Sequence, residues 1–205
     1  MTKPNGRTIR NVAAGTAAVA ALALVAARGI QVPAPAHLAI GPDRVARGEY
    51  LVTVAGCNDC HTPWKMGENG PEPDMTRMLS GHPADLEMPP APPSDSSPWM
   101  VSMAATSTAF AGPWGVSFTA NLTPCEETGL GPWTEEIFIN TMRTGRHWGQ
   151  SRPLLPPMPW FNYARMSDED LGSVFAYLRS IPPHRNPVPP PIPPGGPELE
   201  EDPWN

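Results

Sequence analysis

The sequence predicts an all-α domain, and three observations carry that reading. Apolar residues recur at helical spacing in three segments, near 42–55, 135–143 and 167–181, each with an identifiable start or stop. No alternation of strands and helices surrounds the chemically distinctive residues. The 30 prolines among 205 residues consign much of what remains to irregular chain, so one domain with extensions is expected.

The first 36 residues read as an export segment. Lys3, Arg7 and Arg10 precede the Ala/Leu/Val stretch from Val12 to Ala27, and no acidic residue occurs before Asp43. That apolar run is short against the roughly 20 residues of a membrane span. Residues 1–36 are therefore read as a signal peptide or an N-terminal membrane anchor, the tether running through residues 12–27. Small-residue cleavage options are Val25-Ala26-Ala27 and Ala34-Pro35-Ala36. Either option delivers the domain to the periplasm or to the outer face of the cytoplasmic membrane.

A helix is predicted from Pro42 to Ala55, with Asp43 in its first turn, apolar Val45, Tyr50, Leu51, Val52 and Val54, and Gly56 as its stop. From Pro63 to Pro98, nine prolines together with Gly67, Gly70 and Gly81 predict a long wrapped loop. Val101 to Asn121 is more apolar, but Gly112-Pro113 and Gly115 interrupt any helix there. The second helix runs from Glu135 to Arg143, with Thr134 as N-cap, two glutamates matching the N-terminal dipole, and Gly145 as stop.

The third helix has the clearest signature. Ser167 to Asp170 resembles a capping box, Met166 and Leu171 have staple spacing, and Leu171, Val174, Phe175 and Leu178 fall at i, i+3, i+4, i+7. Pro182-Pro183 ends it. Residues 184–205 are read as an extended or disordered proline-rich tail, leaving 41–183 as the folded domain with 63–121 as its proline-rich insertion.

Cys57-Asn58-Asp59-Cys60-His61 is a CxxCH run, the attachment signature of c-type haem. Two thiols three positions apart can add to the two vinyl groups of one porphyrin while the next imidazole reaches the iron. The run occurs once, so one covalent haem c is expected. A zinc site would need a second ligand pair, and the remaining thiol, Cys125, stands alone in the sequence. A dithiol redox pair would sit beside a βαβ pattern that is missing here. Export supports the haem reading too, because these thioethers are made outside the cytoplasmic membrane. Cys125 has no function in it.

Iron held by His61 needs a sixth ligand if electrons are to pass without small-molecule binding. Met158, between Pro157 and Pro159, is the leading candidate, because prolines stiffen a loop that presents its thioether. Met166 is the nearest rival, but the staple position explains it; His147, His82 and an open site are the other options. A thioether opposite imidazole raises the potential relative to two histidines.

After the first 36 residues, 10 basic residues face 20 acidic ones, a formal charge of −10. That balance excludes nucleic acid as a natural partner. It suits either docking on a basic patch or plain solubility.

With these residues in hand, the chain resembles the class I cytochrome c family over Gly41 to Pro183. More narrowly, it is similar to exported cytochromes whose domains also form the cytochrome subunits of membrane-bound alcohol and related dehydrogenases. The resemblance rests on CxxCH, Pro157-Met158-Pro159 and Tyr177-Leu178-Arg179-Ser180-Ile181-Pro182-Pro183. It rests also on Arg47-Gly48-Glu49-Tyr50-Leu51, Asn121-Leu122-Thr123-Pro124 and Glu127-Thr128-Gly129-Leu130-Gly131. It implies a cytochrome c-like helical domain whose first and last helices cross, bringing Gly48 and Tyr50 against Phe175, Tyr177 and Leu178. It also implies that Asn121 to Thr123 lie near a haem propionate. Dehydrogenase cytochrome subunits usually carry several haem domains, whereas this chain has one; Cys125 also stands where the middle stretch is usually acidic.

The expected function is single-electron transfer to or from a dehydrogenase, oxidase or reductase partner, with no catalysis by the chain itself. The alternative is a haem enzyme, a peroxidase or small-molecule reductase, whose sixth ligand can be displaced.

Overall fold

The computed structural model describes residues 41–91 and 100–195. The export segment therefore lies outside the described residues. Helix α1 spans Pro42–Val54, with Pro42 at its first turn and Gly41 as an extended N-cap. A two-residue step leads to α2, Cys57–His61, in which Gly56 takes φ 70°. An added Cβ at Gly56 would also stand 2.8 Å from Asp59 Oδ2, so the turn into the cysteine motif favours glycine on both counts.

The insertion folds as sheet, which overturns the all-α expectation. Strands β1 (Trp64–Gly67) and β2 (Gly70–Pro73) form an antiparallel hairpin; β3 (Ser102–Met103), β4 (Ala109–Gly112) and β5 (Gly115–Phe118) form a three-stranded antiparallel sheet in that order. The architecture is mixed: five α-helices and two small sheets among the described residues. Turn chemistry explains the difference. Gly67 pairs with Gly70 and Gly112 with Gly115, so the glycines and Pro113 that break helices are the corners of two tight hairpins.

The later helices follow their predicted caps. In α3, Glu135–Thr144, the Thr134 hydroxyl accepts from Ile137 N at 3.2 Å, and Gly145 closes the helix at φ 64°. A short α4, Trp160–Tyr163, precedes α5, Asp168–Ser180, whose N-cap Ser167 accepts from Asp170 N at 3.0 Å.

The most extensive contact between helices joins α1 to α5. A Cβ at Gly48 would fall 2.0 Å from the Ser173 carbonyl oxygen and 2.7 Å from Tyr177 Cβ, so the helices cross here because Gly48 has no side chain. Tyr50, by contrast, is 57% exposed, its ring 5.5 Å from the Arg47 guanidinium carbon. The core lies around the crossing: Leu51 and Val52 of α1, Phe138 of α3, Leu171, Val174, Phe175 and Leu178 of α5, with Leu79, Leu130 and Ile181. Burying each large side chain contributes about 1.5–3 kcal/mol. Arg44 reaches Glu135 at 2.6 Å and thereby links α1 to α3; Gly172 of α5 leaves room for that pair.

After α5 the chain is extended and tied back. Asn186, 4% exposed, donates to the carbonyls of Ser80 and His82 and accepts from Ala84 N. Ile192 and Val116 exchange two backbone hydrogen bonds of 2.8 and 2.9 Å beside β5. Residues 184–195 of the proline-rich tail are thus extended along the domain. None of the helices among the described residues is long and apolar enough to cross a membrane.

Candidate functional site

Cys57 and Cys60 lie one turn apart on α2, so their side chains share a face. Both are half-buried and neither is in a disulfide. Burial pushes the Cys57 thiol up to about 11 and raises Cys60 as well. Dithiol redox centres depend on a lowered thiol pKa, so this environment disfavours that chemistry. Two thiols on one face can each add to a double bond of one partner.

His61 closes the same helix. Its Nδ1 lies 2.8 Å from the Ala120 carbonyl oxygen; because a carbonyl can only accept, Nδ1 carries the proton and Nε2 keeps its lone pair for a metal. Burial lowers the imidazole pKa and the Ala120 contact only partly opposes it, which favours the neutral ring that a metal requires. The motif is fixed from several sides. Gly81 N donates to His61 O at 2.8 Å, Ser107 Oγ to Asp59 O at 2.8 Å, and Thr62 Oγ1 to Asn58 Oδ1 at 2.8 Å.

Met158 is half-buried on the loop between the 3-10 turn His147–Gly149 and α4, its N donating to Leu155 O at 3.3 Å. The loop is anchored along its length. Leu154 N donates to Gly145 O at 2.8 Å, and Ser117 Oγ of β5 donates to Pro156 O at 2.6 Å. Arg143 of α3 donates to the carbonyls of Ala164 and Met166. The Tyr163 hydroxyl donates to Ala55 O at 2.7 Å, two residues before Cys57. Thus Cys57, Cys60 and His61 share one helix, and the Met158 segment is joined through Tyr163 to Ala55, two residues before that helix.

The rival ligands have other contacts. Met166 packs against the core, as its staple position predicts. His82 is 1% exposed, with Nδ1 3.0 Å from Thr108 Oγ1 and its ring 4.7 Å from Phe118. His147 meets Trp133 edge-on at 5.3 Å. Cys125 is buried, its sulfur accepting from Thr128 Oγ1 at 3.3 Å.

The polar environment fits a haem. Trp64 Nε1, Trp114 Nε1, Ser80 Oγ and Thr119 Oγ1 are buried donors with no protein partner, and such groups are costly unless something else brings acceptors. Haem carboxylates would bring them to those donors that lie beside His61. Ser80 and Thr119 adjoin Gly81 and Ala120, the two residues that bond His61. Asn121 is spent otherwise: its amide donates to Thr128 Oγ1 and His184 O, and its carbonyl oxygen accepts from Thr123. Sequence reasoning overlooked Tyr163, Ser107 and the two indoles. Tryptophan in a chain otherwise broken by Gly and Pro was the available signal.

Comparison with known proteins agrees with this chemistry. Over 146 residues the chain is 28% identical to the fructose dehydrogenase cytochrome subunit of Gluconobacter japonicus, which covers 71% of the chain and 22% of that protein. The chain is similar to cytochrome subunits of dehydrogenases. The cytochrome c subunit of the quinone alcohol dehydrogenase of Gluconobacter oxydans is 26% identical over 136 residues, 65% of the chain and 20% of the relative. That of the gluconate 2-dehydrogenase of Pantoea cypripedii is 27% identical over 134 residues, again 65% of the chain, and 22% of the relative. This cytochrome-like chain thus spans about a fifth of the length of these curated relatives. No family model matches it.

Proposed function

We propose that the chain is a single-electron carrier of the cell envelope, with one haem c attached through Cys57 and Cys60, ligated by His61 and Met158, and a dehydrogenase as its partner. The observation that carries the reading is His61, its Nδ1 2.8 Å from Ala120 O so that Nε2 is left for a metal, on the same short helix as two thiols outside any disulfide. The named relatives, all cytochrome subunits of dehydrogenases, support a dehydrogenase over an oxidase or reductase. When bound, haem c supplies a one-electron Fe(III)/Fe(II) couple, whose potential a thioether ligand raises. The chain's own residues hold that group and keep water from it; none of them is asked to make or break a bond of a substrate.

Replacing Met158 by Ala tests the ligand pair. The ferric protein is expected to lose the weak methionine-to-iron band at the red end of its spectrum, and its midpoint potential is expected to fall. Unchanged spectra and potential would remove Met158 from the site, and a wild-type ferric spectrum without that band would favour the haem-enzyme alternative.

A further inference from the structure

Among the polar contacts around the methionine loop, one has no counterpart in the motif. Tyr163 is the last residue of α4, five positions after Met158, and its hydroxyl donates to Ala55 O across a sequence separation of 108 residues. Ala55 caps α1 and precedes Gly56, the pivot that starts the cysteine helix. The phenol is half-buried, and burial, the largest cause, pushes its pKa up to about 12, so it remains a hydrogen-bond donor throughout the neutral range.

We propose that Tyr163 is a positioning residue for the electron-transfer centre: its hydrogen bond to Ala55 holds the Met158 segment against the turn that leads into the helix bearing Cys57, Cys60 and His61. The inference rests on the His61/Met158 reading. Its logic is geometric. The far side of the loop is held by Ser117 on Pro156 and by Gly145 on Leu154; after Met158 the chain is held to α3 by Arg143 on Ala164 and Met166, and Tyr163 ties it to Ala55, just before the cysteine helix. Removing that tie lets the thioether segment move away while the ring of the residue still fills its place. The sixth ligand then becomes easier to displace, although the remaining anchors keep the fold.

The test is Tyr163→Phe in the haem-loaded protein, titrated in the ferric state with imidazole as a competitor for the sixth position. A hydrogen bond of ordinary net strength predicts about threefold to tenfold tighter imidazole binding. The red-end band remains at neutral pH in the absence of competitor. Thr134→Ala, which removes a helix cap elsewhere at similar cost to stability, is expected to leave imidazole affinity as it is. Unchanged affinity in Tyr163→Phe, or an equal rise in Thr134→Ala, overturns the positioning role. Met158→Ala separates this from the underlying reading: if that variant keeps the red-end band the ligand pair itself is wrong. If it loses the band while Tyr163→Phe binds imidazole as wild type does, only the role of Tyr163 fails.

Discussion

At the scale of single residues, burial sets the acid-base behaviour of the core. His82 is almost wholly buried, and desolvation pulls its pKa below the ordinary 6.5, with Arg77 adding to the effect and Leu86 and Asp85 opposing it. A base with a depressed folded pKa is protonated in the unfolded state before it is protonated in the folded one. Its contribution to stability is therefore complete above pH 6.5 and is lost as pH falls from there through the folded value. Urea unfolding of wild type is expected to show stability falling on the acid side of that point. His82→Gln, which keeps a polar partner for Thr108 but cannot titrate, is expected to have a shallower acid slope. Identical slopes in the two proteins would mean that His82 takes up its proton without unfolding. A histidine that looks like a spare metal ligand in the sequence is here a structural group resting on Thr108 and Phe118.

At the scale of elements, the α1 to α5 crossing depends on a missing side chain. The atom nearest a Cβ at Gly48 is backbone, Ser173 O, which cannot rotate aside. Gly48→Ala is expected to lower stability by about 1–3 kcal/mol, despite alanine's better helix propensity. Denaturant unfolding measures this, and a stabilised variant would show that the helices do not touch there. The caps of α3 and α5 are legible in the sequence because each is written in residues near one another: Thr134 with Ile137, and Ser167 with Asp170; the crossing is expected from the family resemblance instead. The cysteine motif is legible for the same reason. The sheets are not. Strands of two to four residues are too short to show alternation, and their Gly and Pro corners look like any loop breaker. Nor do local patterns reveal partners far apart in sequence, such as Tyr163 with Ala55, or Ser117 with Pro156.

At the scale of the whole molecule, the chain after α5 closes the structure over the insertion. Asn186 alone satisfies two carbonyls and one amide N–H on the 80–84 turn, and Ile192 pairs with Val116 of β5. Gly115 is required by this closure: at φ 92° a Cβ there would lie 2.0 Å from Ile192 O. Val116 is the immediate neighbour of Ser117, the residue that holds Pro156 two positions before Met158. Ending the chain at Pro183 should therefore act on two levels. Each buried polar group left unpaired costs about 1–3 kcal/mol, and for a domain of this size that corresponds to a fall in Tm of roughly 2–12 °C per group. The loosened β5 should also release Pro156, so the shortened ferric protein should bind imidazole more tightly than the full chain. A fall in Tm without a change in imidazole binding would confine the last residues to stability. If neither quantity changes, residues 184–192 do not pack on the domain in solution, and the chain of contacts from Ile192 through Val116 and Ser117 to the methionine loop is broken at its first link.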